Sequence, residues 1–468
     1  MAWLALAGLV GCSGPALAHG SQGAIILLLP TGYYLVGGAV AVAASFLLLA
    51  VVPAARLERV AGQEVRLASL RRVAPTVPSL LSFLLLLVLL YAGVYGSRDP
   101  LSNPLPLFIW TIWWVGFTLL QAVTGELWTL FNPWSGPLAL LRLATRSEVG
   151  RRPLLPLPQK LGYLPAILLF FGFAWFELVD VAPSDPFRLA VAVGAYWLAA
   201  FAGMIVFGEA AWTARAEPFG IFFRLVGGMA PLVRRSDGDR VQFILTWPGR
   251  GLMERPALPP SGVLFVLLTL ASVSFDGFSR TFAWLGFLGV NPLEFPGRSA
   301  VQLENTLGLL AAFVLLASAF LLALAAGRPW FGADRRLWPA AGRLVHSILP
   351  ISIAFHAAHY LTNLLVDGQY AYAAASDPFG LRWDLLGIGH FHVTTSFLNT
   401  FEDVTLIWNT QTAIICLGHI VGIVMAHLMA QRLFPAARSA AASQLGLAAL
   451  MVGYTVFGLW LLSTPVAG

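Results

Sequence analysis

Ten long apolar segments, separated by polar stretches, dominate the sequence. Each is close to the roughly 20 residues that an α-helix needs to cross the hydrocarbon core of a bilayer. Because a helix satisfies its own backbone hydrogen bonds in lipid, the pattern predicts an all-α, polytopic transmembrane bundle of about ten helices. The segments are approximately 25–52, 78–96, 106–124, 162–181, 187–209, 262–280, 304–326, 344–366, 404–430 and 443–463.

The first 18 residues are typical of a cleavable signal peptide. An apolar run leads to Ala-Leu-Ala at 16–18, which has the small-residue spacing of a cleavage site, although the run lacks a positive charge before it. Cleavage there leaves 19–468 as a single transmembrane domain and makes His19 its N-terminus, where amine and imidazole could chelate copper. A competing interpretation is a lipobox with Cys12 acylated.

Composition agrees with a membrane protein. The chain is 58% hydrophobic and 11% charged, with a mean hydropathy of +0.78, which excludes a soluble globular domain. Cys12 lies in the leader and Cys416 in an apolar segment, so the mature chain has neither a disulfide nor a Cys-x-x-Cys metal site. The net charge of +6 comes from arginines beside the helices, so we expect anionic membrane lipids as partners and no nucleic acid.

Arginines and lysines are concentrated in alternate loops. Of the 28 in the chain, 23 lie in the loops 53–77, 125–161, 210–261, 327–343 and 431–442. By the positive-inside rule these loops face the cytoplasm. The sequence therefore predicts a bacterial inner-membrane protein with both termini periplasmic, and a periplasmic capping segment between the eighth and ninth helices at 367–403.

A weak repeat follows the third and fifth helices. Gly-Glu-Leu-Trp-Thr at 125–129 recurs, with one residue inserted, as Gly-Glu-Ala-Ala-Trp-Thr at 208–213. One interpretation is a helix stop, with proline ending the helix and tryptophan anchoring it at the headgroups. The other is a pair of duplicated hairpins, 78–134 and 162–219, as parallel repeats in transporters would give.

Polar residues from several helices share one predicted depth, in the outer part of the membrane. Ionisable groups in such positions are costly and usually functional. We therefore predict a polar pocket below the capping segment. Its candidate residues are Glu177, Asp276, His356, His359, Asn363, Asn409 and Gln411.

Two of these, His356 and His359, are three residues apart and thus on one helical face. That spacing suits two imidazoles on one metal ion, and Asp276 could add a carboxylate. Simpler interpretations stay open. The histidines could form hydrogen bonds between helices or relay protons, and Asp276 could pair with Arg280.

The capping segment offers further candidates. His390 and His392 form His-x-His, which would complete a set suited to zinc, or to manganese or iron. If one coordination position of such an ion is open, the ion can bind a water molecule there and lower its pKa. Asp377 or Asp384 could then act as the catalytic base. Ordinary loop histidines, and a turn at Asp377, are the alternatives.

A resemblance to known proteins rests on passages that together cover most of the chain in order. These are 18–20 with 56–58, 110–114 with 126–134, 173–178, 207–222 and 274–278. The passages resemble a family of bacterial polytopic membrane proteins commonly labelled fenitrothion hydrolase. The label implies hydrolysis of an organophosphate triester. The family supplies no catalytic motif that we can place on this sequence.

Three functions are consistent with these features. The first is a metal-dependent hydrolase of lipophilic phosphoesters or esters, with a site open to the outside. The second is a transporter or permease for a metal ion or coupled to protons, in which polar groups such as His419 and Glu209 would continue to the cytoplasmic face. The third is a non-catalytic membrane subunit of a larger complex with another membrane protein. No nucleotide-binding, Gly-x-Ser-x-Gly or His-Glu-x-x-His motif stands in a convincing context.

Overall fold

The computed structural model describes residues 29–295, 297–331, 336–389, 391–434 and 437–466. The predicted leader, with Cys12 and His19, lies outside these ranges. Within them the all-α bundle is confirmed, with one helix in each predicted span. The helices are α1 (Thr31–Val51), α2 (Thr76–Tyr95), α3 (Pro104–Thr124), α4 (Leu164–Leu178), α5 (Pro186–Phe207), α6 (Pro260–Ser279), α7 (Gln302–Ala326), α8 (Leu349–Ser376), α9 (Phe401–Leu433) and α10 (Leu445–Ser463).

Nine of these helices, counted over the described ranges, are long and apolar enough to cross a membrane. The exception, α4, has 15 residues, about 22 Å of helix. Shorter helices lie in the connections and before α8. They are Ala54–Ala61, Trp128–Phe131, Ser135–Thr145, Glu209–Arg215, Pro218–Gly227, Arg250–Met253, Phe282–Phe287, Leu337–Leu344 and Ala437–Ser443.

A small antiparallel sheet, which the sequence analysis did not predict, joins two of the arginine-rich loops. β1 (Glu64–Arg71) comes from the loop before α2, and β2 (Leu232–Asp237) and β3 (Arg240–Thr246) come from the loop before α6. The order is β1-β3-β2. Gly238, with φ +59°, occupies the tight turn between β2 and β3, where a side chain would be strained.

All five arginine-rich loops lie on one side of the bundle. Contacts between the loops show this arrangement. We call this side the basic face and the other side the opposite face. The contacts are Arg235–Glu64 (3.0 Å), Arg215 Nη2 to Leu157 O (2.8 Å), Arg343 Nη2 to Met253 O (2.8 Å) and Arg432–Glu58 (3.3 Å).

The helix at the centre of the bundle is α6. In its most apolar window 78% of the residues are buried, against 17% for α1. Its neighbour α8 packs closely on α9, where Gly418 and Gly422 face α8 without side chains. A methyl group at Gly422 would lie 2.8 Å from the carbonyl oxygen of Ser347, in the turn that leads into α8, so the close approach of α9 to the start of α8 depends on this glycine.

The eighth helix is longer than predicted. α8 continues to Ser376, so about ten residues assigned to the 367–403 loop are helical. The connection on the opposite face is residues 377–400, and α9 begins after Thr400, whose hydroxyl accepts a hydrogen bond from the Asp403 amide (3.3 Å). This correction moves the capping segment away from the ends of α4 and α6.

We expect Gly422→Ala to destabilise the protein by about 1–3 kcal/mol, because the added methyl group forces α8 and α9 apart. The matched control is Gly453→Ala on α10, where a methyl group meets nothing within 4 Å. Thermal denaturation midpoints of both variants in detergent measure the difference. Equal midpoints would show that the α8–α9 contact tolerates a wider spacing.

Candidate functional site

A cluster of polar side chains lies where α4 and α6 end and α8 passes them. Asp276, in the last turn of α6, is buried with 3% of its surface exposed. Its Oδ2 accepts hydrogen bonds from His359 Nε2 (2.8 Å) and from the Tyr360 hydroxyl (2.7 Å), both on α8. The predicted proximity of Asp276 and His359 is therefore present in the structure.

Tyr360 connects Asp276 to a second carboxyl group. Its hydroxyl also lies 2.9 Å from Oε1 of Glu177, in the last turn of α4. The hydroxyl has one hydrogen, so both contacts are hydrogen bonds at once only if one carboxyl group is protonated and donates to the hydroxyl oxygen. Asp276 already receives the His359 hydrogen bond, so we assign the additional proton to Glu177.

Three arginines surround this chain of hydrogen bonds, although the opposite face has few basic residues. Arg280 lies 3.7 Å from Asp276 Oδ1, and 54% of its side chain is exposed. Arg298 donates to the backbone carbonyl of Glu177 (2.8 Å). Arg188 forms a salt bridge with the buried Asp180 (2.7 Å). The cluster therefore presents cationic groups beside its carboxyl groups at the membrane surface.

The ends of the helices explain why these groups meet. Ser279 ends α6 and its hydroxyl donates to the Asp276 carbonyl (3.1 Å), and Thr281 then caps the next short helix through the Trp284 amide. This tight helix-to-helix connection fixes the last turn of α6. Because α4 ends at the same height as α6, the adjacent side chains of His359 and Tyr360 on α8 reach the carboxyl groups of Asp276 and Glu177.

The second histidine of the predicted pair points elsewhere. His356 is buried, and its Nε2 lies 3.0 Å from the backbone carbonyl of Trp114 on α3. Its ring packs edge-on against the Trp114 indole. That carbonyl lies in a π-helical stretch, Leu107–Phe117, a rare conformation often found at functional sites. His356 thus ties α8 to α3, as the simpler interpretation of an interhelical hydrogen bond has it.

Two of the three amide side chains predicted for the pocket have other partners. Gln411 donates to the Ala358 carbonyl (2.8 Å) and so joins α9 to α8. Asn409 accepts a hydrogen bond from the Tyr34 hydroxyl (2.9 Å) on α1. Asn363 is exposed. None of these three contributes a contact to the Asp276 cluster.

The capping-segment candidates that the structure describes also lie apart from the cluster. Asp377 accepts hydrogen bonds from the amides of Leu381 and Arg382, so it holds a turn. Asp384 accepts a bond from the Ser376 hydroxyl (3.1 Å) at the end of α8, about 25 Å along that helix from His359. His392 is exposed, and His390 lies outside the described residues.

The carboxylate of Asp384 is a structural group of this loop. It accepts hydrogen bonds from the backbone amides of Gly389 (3.0 Å) and Ile388 (2.7 Å). These bonds stabilise the charged form and lower the pKa of Asp384. A carboxylate occupied in this way is a poor general base.

The predicted metal set is not brought together by the residues that the structure describes. Among them, no three histidine, cysteine, aspartate or glutamate side chains are close enough to share an ion. His359 and Asp276 touch, whereas His356 faces Trp114. The divalent ion, with zinc preferred over manganese or iron, stays a prediction.

Tyr360 and the three arginines of the cluster were not among the site residues predicted from the sequence. Tyr360 follows His359 directly, and its position next to a candidate histidine was the available signal. Arg298 is one of five basic residues outside the arginine-rich loops. Arginines are rare on this side of the protein, and that rarity is the signal that could have identified Arg298 as a site residue.

Comparisons with protein-family models, with curated proteins and with solved structures gave no match. The class of protein that fold and cluster define is an integral, multi-pass membrane protein with a polar hydrogen-bonded site near one membrane surface. The family resemblance noted in the sequence remains an expectation.

We expect Glu177→Gln to remove the infrared carbonyl-stretch absorption of one protonated carboxylic acid at neutral pH, because Glu177 supplies the second hydrogen between the carboxyl groups and Tyr360. The measurement is a difference spectrum between wild type and variant in lipid. Glu304→Gln, at an exposed position in the first turn of α7, is the control and should leave this absorption intact. Retention of the absorption in Glu177→Gln would place the proton on another group.

Proposed function

We propose that the protein is a membrane-embedded hydrolase that cleaves lipophilic phosphoesters or esters near the opposite face. The observation that carries the proposal is the 2.8 Å hydrogen bond between His359 Nε2 and Asp276 Oδ2. Histidine held by a buried carboxylate is the recurring arrangement for removing a proton from water or a hydroxyl nucleophile. With 31% of the His359 side chain exposed, a reactant can approach it.

The carboxylate selects the tautomer of the imidazole. When Nε2 donates its hydrogen to Asp276, Nδ1 has the free lone pair and becomes the basic atom. Gly277 lies beside this edge of the ring, and a methyl group there would be 3.7 Å from Nδ1. The glycine keeps a side chain away from this edge of the ring, and the proposal places here the water molecule whose proton His359 takes. Asp276 acts as a positioning residue, and it stabilises the imidazolium that forms.

Two arginines supply the electrophilic part of the mechanism. Hydrolysis of an ester or phosphoester builds negative charge on an oxygen of the substrate, and fixed cationic donors stabilise it. Arg280 is partly exposed next to Asp276, and Arg298 is held against the end of α4. Tyr360, bonded to two carboxyl groups, fixes the relative position of α4, α6 and α8.

The divalent ion is a separate proposal. Zinc sites use three or four protein ligands, whereas the cluster offers one imidazole and one carboxylate in direct contact, with Glu177 on the far side of Tyr360. The mechanism above therefore uses no metal. Metal content of the purified protein, compared between wild type and His359→Ala, tests the ion independently of activity.

A second candidate function is proton-coupled transport. One observation favours it: a cavity of about 10 Å³ below His356, lined by Thr118, Thr269 and Ser352 among others, which is near the minimum size for one water molecule. Together with the Asp276 cluster, it would extend a polar route toward the basic face. Glu209, the candidate at that face, is instead paired with Arg142 (2.6 Å), and His419 bonds to the carbonyl of Ile415 on its own helix (2.9 Å).

We expect His359→Gln to lower kcat/KM for hydrolysis by about 10²–10⁴-fold, the usual contribution of a general base. The substrates are a p-nitrophenyl acyl ester and a dialkyl p-nitrophenyl phosphate, and the enzyme is in liposomes. His356→Gln is the matched control, because it lies one turn away without touching Asp276, and it should retain activity. Retained activity in His359→Gln would contradict the proposal. Proton uptake by wild-type vesicles without any hydrolysis would favour transport.

We propose further that the basic face is cytoplasmic in a bacterial inner membrane. With both native cysteines replaced by serine, Ser236→Cys in β2 and Leu385→Cys in the capping segment place single thiols on the two faces, at exposed positions. A membrane-impermeant maleimide should label only Leu385→Cys in spheroplasts and only Ser236→Cys in inverted vesicles. The reverse pattern would invert the topology.

A further inference from the structure

A large apolar cavity lies between α2, α3, α4 and α5, away from the polar cluster. Its volume is about 650 Å³, within the range of pockets that hold small ligands. Its walls are aliphatic and aromatic side chains, including Trp113, Phe173 and Trp197. The Phe173 and Trp114 rings are in contact, and Trp114 packs on His356, so rings separate this cavity from the site proposed for hydrolysis.

The cavity is a slot that runs parallel to the helices. α2 lines it from Ser82 to Leu89 at positions three, four and seven residues apart, and α5 lines it from Leu189 to Trp197 with the same spacing. Each helix thus presents one face over about two turns, or roughly 10 Å. A cavity that runs parallel to the membrane helices fits an extended hydrocarbon chain that lies along the bilayer normal.

The opening of the slot lies in the apolar band of the surface. Leu85, Ile112 and Leu168 line the cavity and are 44%, 39% and 64% exposed, so the cavity is open beside these side chains. In a bilayer such side chains face lipid tails. An occupant therefore enters sideways from the hydrocarbon region, without crossing a polar surface.

Several polar atoms of the lining side chains are hydrogen-bonded within the protein. Trp134 and Trp197 donate their indole hydrogens to the backbone carbonyls of Trp197 and Pro133 (3.1 and 3.0 Å). The Tyr196 hydroxyl donates to Glu217 (2.5 Å). Trp128 Nε1 has no hydrogen bond within the described residues, but it is buried and gives the cavity no polar surface. The walls therefore offer apolar contacts, which select hydrocarbon.

We propose that this slot binds an acyl chain of a membrane phospholipid, as a lipid site distinct from the polar cluster. The chain lies between α2 and α5 against the aromatic wall from α3 and α4. Its headgroup stays at the membrane surface, because the walls of the slot are mainly aliphatic and aromatic and are a poor environment for a charged group. The site goes beyond the proposed hydrolysis and does not depend on it.

Gly172 on α4 gives a direct test, because it lines the slot and a side chain added there enters open space. Gly172→Leu should fill the slot without a clash, and Ala192→Leu adds bulk to the α5 wall of the slot. The matched control is Gly194→Leu on α5, which also has nothing within 4 Å and does not line the slot. The probe is phosphatidylglycerol with a photoactivatable diazirine in one acyl chain, added to full-length protein in liposomes.

We expect crosslinks on peptides of α2 to α5 in wild type and in Gly194→Leu, and about tenfold fewer in both slot variants. Thermal midpoints and monodispersity confirm that each variant is folded. Equal crosslinking of α2 to α5 in wild type and both slot variants would overturn the proposal. So would labelling of the slot only by a diazirine fatty acid without a headgroup, because the occupant would then not be a phospholipid.

Discussion

A charged or hydrogen-bonding side chain inside a bilayer must find a partner, since lipid offers none. Asp276 illustrates this constraint, because α6 is the most buried of the nine membrane-length helices in the described ranges and its aspartate is almost inaccessible. The hydrogen bonds from His359 and Tyr360 satisfy that carboxylate. They also fix α8 against α6, and through Glu177 they fix α4. The arrangement of three helices at the opposite face thus follows from one buried acid.

The helices and their relative sides were predictable from the sequence, because length, hydropathy and arginine placement record the thickness and asymmetry of a membrane. The sheet was not predicted, although β1 alternates apolar and polar residues and Asp-Gly between β2 and β3 is a hairpin signal. Hydropathy placed the end of α8 too early, because it detects only the apolar part of a helix. The helix continues through more polar residues to Ser376.

The sequence predicted the depth of the site residues along their helices, but not the direction in which each side chain points. Counting residues along helices placed Asp276 and His359 at one height, and they do meet. The same count could not show that His356, about 60° around the helix from His359, reaches a backbone carbonyl of Trp114. That carbonyl belongs to a π-helical stretch, which hydropathy does not reveal. Rotations of side chains around helix axes depend on neighbours, and the sequence alone does not specify neighbours.

The sheet on the basic face has a consequence for biosynthesis. β1 leaves the ribosome before α2, but its partner β3 follows only after α5, so four membrane helices must be inserted before the pair can form. Pairing then closes a chain loop of more than 160 residues, from Arg71 to Arg240, at an entropic cost that rises only slowly with length. A nascent chain arrested before β3 has an unpaired strand at the membrane surface. The N-terminal part of the chain therefore lacks the partner of β1, and the sheet is completed only when synthesis reaches β3.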